Sequence, residues 1–185
     1  MNTRIEKDFC FQTGLYFENK FHVNVYDITL SMLVETDSIA EQNVAMDRAS
    51  YFLHEIIQGS VMVSINNKDI IKKYENVDLR VCELPEEPYD QIIAMVLLLK
   101  LNSIMEDRLK ITDMVIGSTM SDGVRFNLVS EVAENTLSGK YWWNSPCLAI
   151  NNSNKDNMDY SKIIKLFNND DWIGLGLSWR ETAKN

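Results

Sequence analysis

Residues 92–99 read Ile-Ile-Ala-Met-Val-Leu-Leu-Leu, a run with no polar face at helical spacing. A helix apolar nearly all round has to be enclosed. The run stops at Lys100, well short of the roughly 20 residues that span a bilayer. It is therefore expected to lie at the centre of a soluble fold. The flanking sequence agrees. Leu84-Pro85-Glu86-Glu87-Pro88 makes an acidic turn into the helix, and Pro88 suits a first helical turn because it has no N–H to leave unpaired. The helix is expected over about 89–105. Beyond it, residues 109–118 and 124–132 read as two strands joined at Asp122-Gly123, a strong local turn signal.

Upstream of this centre the pattern changes from helical to alternating. Phe9, Phe11, Leu15 and Phe17 share one parity. After a polar turn at Asn19-Lys20, Phe21, Val23 and Val25 alternate with His22 and Asn24. Period-2 alternation on both sides of a short turn predicts a β-hairpin. From Ile28 to Val34 the second strand is apolar on both faces, which predicts a covered interior position. Ser38 and Glu41 have capping-box spacing. They open a helix whose stripe is Ala45, Ala49, Phe52, Leu53, Ile56 and Ile57, with Gly59 placed to end it. Shorter elements are expected at 60–65 (strand), 69–74 (amphipathic helix) and 79–84 (strand).

This order predicts an α+β fold: a mostly antiparallel sheet with two main helices packed on one face, plus a C-terminal helix and strand. A chain of 185 residues fits a single domain able to bury a substantial core. Residues 1–136 form the expected core and 137–185 a C-terminal elaboration. In the latter, 137–143 reads as turn plus strand, 144–157 as a polar Asn-rich loop, 159–167 as a short helix and 172–179 as a glycine-interleaved apolar strand.

Composition narrows the partners. A formal charge of -9 disfavours broad binding to a phosphate backbone, where Lys and Arg are rewarded by counterion release. Nucleic acid is therefore an unlikely partner on sequence grounds, and a protein partner or self-association the expected one. Three widely spaced cysteines, Cys10, Cys82 and Cys147, argue against a disulfide framework and for a reducing compartment. The N-terminus lacks the apolar core of a leader peptide, so a cytoplasmic location without membrane insertion is expected. The abundance of Asn, Ile and Lys resembles the drift of an AT-rich coding sequence, as in many phages.

No motif identifies a reaction. Gly-x-Ser-x-Gly, His-Glu-x-x-His and Walker-type loops are absent. An opening hairpin followed by a helix also suits the tunnelling-fold pterin enzymes, but their zinc-histidine pattern is missing and the chain does not resemble that family. A Ser–His or Cys–His nucleophile pair would have to use His22 or His54, the only histidines. Asp113 shares parity with Leu109, Ile111 and Val115, where a carboxylate needs a partner; Arg125 or Lys110 is expected to supply it.

Two clusters remain. Tyr141, Trp142 and Trp143 form the best hint of a partner-binding surface, because adjacent strand residues point to opposite faces and such rings dominate interface hot spots. Glu83, Glu86, Glu87 and Asp90 could hold Mg²⁺ or Mn²⁺, although an acidic first helical turn explains them as well. Two functions are thus expected in order: a non-enzymatic interaction or assembly protein, possibly phage-derived, needing no cofactor; alternatively a metal-dependent enzyme acting on a small phosphorylated or nucleotide substrate.

Overall fold

The computed structural model describes residues 3–152 and 170–179. The fold is α+β, built on a six-stranded, mostly antiparallel sheet of order β4-β3-β1-β2-β5-β6. β1 (Arg4–Phe17) and β2 (Lys20–Val34) form a long hairpin. Its two-residue turn is Glu18-Asn19, both at positive φ, one residue earlier than expected. β2 lies between β1 and β5 (Leu109–Ser118), interior to the sheet, but it is not covered on both faces: Thr29, Ser31 and Leu33 on its outer side are only half-buried. β6 (Arg125–Val129) completes one side of the sheet. β3 (Val61–Ser64) and β4 (Val81–Leu84) extend the other in parallel pairings.

Two helices cover one face of the sheet. α1 (Ile39–Tyr51) continues as a π-helical turn, Phe52–Ile57, and ends at Gly59 with φ of 74°. Ser38 Oγ accepts from the Glu41 N–H, but the Glu41 carboxylate turns to Thr36 and Arg108 instead of closing the box. α3 (Asp90–Met105) is buried almost throughout. It touches α1, β4, β5 and β6, which is what an all-round apolar helix requires. A shorter helix, α2 (Lys68–Glu75), covers Val61, Val63 and Val81 through Ile71. β3 and β4 are therefore buried on both faces, whereas Glu6, Asp8, Cys10 and Asp27 leave the outer face of the central strands exposed.

Several local expectations fail for identifiable reasons. A bulge interrupts the β2–β5 register at Ser31/Met32, opposite Thr112. One extra residue reverses the facing of the strand, so Leu109 and Ile111 point inward before it and Met114 and Ile116 after it. Asp113 consequently lies on the outer face and forms no ion pair with Arg125 or Lys110. The second strand stops at Val129, and α4 (Ser130–Thr136) follows, with Ser130 and Ala133 buried at helical spacing. Residues 141–143 are not a strand; a 3-10 turn spans Trp142–Asn144. Residues 172–179 are not one either: α5 (Asp170–Gly174) ends in a turn at Gly176. The helix expected at 159–167 lies outside the described residues.

Parity also fails near the hairpin turn. Phe21 and Val23 were expected to share an apolar face, yet both are about half exposed, while Asn24 is fully buried. Asn24 keeps the facing of Tyr26, Ile28, Leu30 and Met32, all in the core.

Candidate functional site

The 141–147 segment is fixed by a single buried lysine. Lys100, fully enclosed on α3, donates through Nζ to the carbonyls of Trp142 (2.9 Å), Ser145 (2.8 Å) and Cys147. Three acceptors match the three donors of an ammonium group. Burial nevertheless lowers its pKa to about 8, because desolvation penalises the charged form. The sequence shows Lys100 only as the residue that ends an apolar run; nothing local signals that three distant carbonyls converge on it.

This anchoring decides the fate of the aromatic run. Trp142 and Trp143 are buried, 3% and 1% exposed, and only Tyr141, at 42%, reaches the surface. Trp142 donates its indole N–H to the Glu83 carbonyl at 2.8 Å. Tyr141 stacks on Trp143 with centroids 4.6 Å apart. Any partner surface here therefore has Tyr141 alone as its aromatic element.

The four carboxylates do not converge. Glu83 is buried on β4, where one oxygen accepts from the Asn152 N–H at 2.7 Å. Glu87 accepts from Asn67 Nδ2, Asp90 from Ser118 Oγ, and Glu86 points to solvent. Among the described residues no three His, Cys, Asp or Glu side chains are grouped closely enough to hold a metal. The structure does unite one member of each cluster: Glu83 and Tyr141 line a cleft of about 480 Å³ with Lys68, Lys72 and Lys140.

The two edges of the sheet are treated oppositely. The β4 edge is closed by the C-terminal third: the Glu83 N–H donates to the Ile150 carbonyl at 2.9 Å, while its carbonyl and carboxylate take the bonds described above. Residues 125–129 of β6 make no backbone hydrogen bond beyond their pairing with β5 among the described residues. Val124, Val129 and Val132 are exposed alongside. An unpaired edge is a ready template for another strand. Sequence alternation identifies β6 as a strand but carries no information about which strands end the sheet.

A third arrangement secures residues 172–179. Trp179 is sandwiched between Arg48 at 3.8 Å and Arg108 at 4.3 Å, and its indole N–H donates to Glu106. Arg48, itself buried, also faces Trp172 at 4.7 Å and donates to the Leu177 carbonyl. Guanidinium over an indole face is the favoured cation–π pairing.

No helix among the described residues is long and apolar enough to cross a membrane. No protein-family model and no curated protein matches the chain. Solved structures do. An uncharacterized protein from Wolinella succinogenes superposes with a TM-score of 0.51 at 13% identity, covering 70% of this chain and 98% of that one. A catalytic-residue mutant of Plasmodium vivax 6-pyruvoyltetrahydropterin synthase superposes at 0.45 with 8% identity, covering 69% and 97%. The second likeness is too distant to carry an argument. The first establishes that this chain shares the α+β fold of the Wolinella protein, and nothing beyond the fold.

Proposed function

We propose that the chain is a non-enzymatic interaction protein that assembles through the open β6 edge, its first partner being a second copy of itself. The observation that carries this reading is the asymmetry of the sheet: among the described residues, one edge is closed by residues 142–152 and the other is left unpaired. Antiparallel pairing of two β6 strands about Asn127 would set Arg125 opposite Val129 and bring no like charges face to face. The dispersal of Glu83, Glu86, Glu87 and Asp90 gives the metal-dependent alternative no geometric support. Three free thiols suit the reducing cytoplasm as the place of action.

The test is molar mass by light scattering over a concentration series. Two copies of formal charge -9 repel each other, so added salt should favour the dimer. Asn127→Asp places two carboxylates at the centre of the paired edge and should return the protein to monomer. A wild-type protein that stays monomeric at high salt and high concentration would refute the proposal.

A further inference from the structure

At the hairpin end of the sheet the usual sidedness is inverted. Thr13 and Asn24, register partners on β1 and β2, point into the molecule, while Phe21 and Val23 point out. Tyr26 follows on the same inward face, and Asp90 approaches it from the first turn of α3. Places where the local pattern fails in this way are expected at functional or strained sites.

These buried groups are poorly satisfied within the fold. No hydrogen bond of good geometry reaches Thr13 Oγ1, Asn24 Nδ2 or the Tyr26 hydroxyl, although that hydroxyl lies close enough to Asn24 and Asp90 to interact with both. The orientation of the Asn24 amide is fixed, because its oxygen accepts from the Met120 N–H at 3.1 Å and Thr119 Oγ1 at 2.7 Å. A backbone N–H cannot accept, so the amide nitrogen cannot take that place. Burial and the Asp90 charge push the Tyr26 phenol above its usual range, so it remains a hydroxyl.

Asn24 and Asp90 both line a cavity of about 300 Å³ walled by Leu15, Phe17, Tyr89, Met120 and Phe126. Phe17 and Tyr89 meet edge to face at 5.2 Å. Asp90 spends one oxygen on Ser118, and no Lys, Arg or His is among the described residues that line the cavity. The single formal charge is thus negative, set among aromatic rings, which is the environment that takes up an ammonium group. The Asn24 amide N–H₂ in turn requires an oxygen acceptor.

From this cavity we infer a binding site for a small organic ammonium ion bearing an adjacent oxygen acceptor, its charge on Asp90 and its oxygen on Asn24. The site is separate from the β6 edge and stands whether or not the protein dimerises. The rings of Phe17, Tyr89 and Phe126 cover the body of the ligand, and Tyr89 at the mouth is about half exposed, leaving a route in.

The experiment uses isotope-labelled full-length protein and follows the Asn24 side-chain amide by NMR during titration with three related probes. These are 2-amino-1-phenylethanol, phenethylamine (no oxygen) and 1-phenylethane-1,2-diol (no charge). The amino alcohol is expected to bind most tightly and to shift the Asn24 amide signals. Loss of either polar group, or Asp90→Asn, should weaken binding about tenfold or more, as expected for one charge-assisted hydrogen bond. Equal binding of the diol and the amino alcohol, or no shift at Asn24 with any probe, would overturn the inference. The probe comparison on unaltered protein decides the matter even if Asp90→Asn fails to fold.

Discussion

Lys100 and Asn24 are both fully buried polar residues, and they are treated in opposite ways. Lys100 sits in the most apolar helix of the molecule and has an acceptor for every proton. Asn24 sits at the margin of the same core, in a row with Thr13 and Tyr26, where donors outnumber acceptors. A buried group left unpaired costs its desolvation. Where packing offers a solution, as at Lys100, a fold of this kind finds it. The Trp143 indole N–H, in the segment that Lys100 anchors, is likewise buried without a partner, so it is the cavity beside Asn24, and not a missing partner alone, that marks the row as a site.

The strongest way to test that contrast is to remove the satisfied group. Lys100→Met keeps the volume of the stem but leaves three carbonyls without a donor. A buried acceptor left without its donor costs about 1–3 kcal/mol for each such group. The loss should be local at first: Trp142 and Trp143 would become solvent-accessible, which their fluorescence reports. A variant as stable as the wild type would mean that the carbonyls find other partners and that Lys100 is not the anchor.

Arg48 sharpens the comparison as a second satisfied cation. It is 3% exposed and bonds Glu106 and the Ile104 and Leu177 carbonyls. Desolvation lowers its pKa, while Glu106 opposes that shift. Arg48→Met should cost about 2–3 kcal/mol, typical of a hydrogen-bonded charge removed from one side. It should also release residues 172–179, measured as faster amide exchange there. Unchanged exchange would show that the tryptophans hold the segment without the guanidinium.

The sequence made these regions legible to different degrees, and the difference is physical. Helix α3 was readable because an all-apolar run has one solution in water. The hairpin and the 109–118 strand were readable because alternation is local. Lys100, Arg48 and Asn24 were not, since each is defined by partners far along the chain: Lys100 by carbonyls of residues 142–147, Arg48 by Trp172 and Trp179. Asn24 was assigned to the wrong face because its exposed neighbours Phe21 and Val23 looked like core. Asp113 was misplaced by one bulged residue. For Tyr141, Trp142 and Trp143, composition drew attention to the segment, but strand geometry was the wrong frame for a 3-10 turn pinned from below. The acidic cluster looked dense in sequence only because residues 83–90 turn a corner, which sends each carboxylate to a different neighbour.

Alkaline pH separates the satisfied and unsatisfied groups by sign. Lys100 falls from 10.5 to about 8 on folding, so between these values the unfolded chain holds a proton that the folded one has released. Its contribution to stability therefore rises with pH across that window. Tyr26 moves the other way: its folded value lies above the ordinary 10.0, so stability falls as pH rises through about 10. Cys82, also raised by burial from 9.0, acts in the same direction as Tyr26 from lower pH. Unfolding midpoints measured from pH 8 to 10.5 should show wild type gaining on Lys100→Met. Above pH 10 wild type should lose ground to Tyr26→Phe. Parallel curves for wild type and Lys100→Met would place the Lys100 titration outside this range.

The smallest effect is the most discriminating. If Thr13 and Tyr26 were structural, removing their hydroxyls would destabilise the fold, as a lost hydrogen bond does by about 1 kcal/mol. Neither hydroxyl makes a well-formed hydrogen bond, so Thr13→Val and Tyr26→Phe should be neutral or stabilising, by up to about 1 kcal/mol near neutral pH. Asn24→Leu is the necessary counterpart. It removes the unpaired nitrogen but also the oxygen that holds Met120 and Thr119, so it should destabilise by about 1–2 kcal/mol. Denaturant midpoints for the three variants distinguish the cases. A loss in all three would make the row an ordinary structural network. A gain at Thr13 and Tyr26 with a loss at Asn24 would show that the Asn24 amide oxygen serves the fold while the two hydroxyls beside it do not. That outcome would leave the cavity as the reason this end of the core carries polar groups.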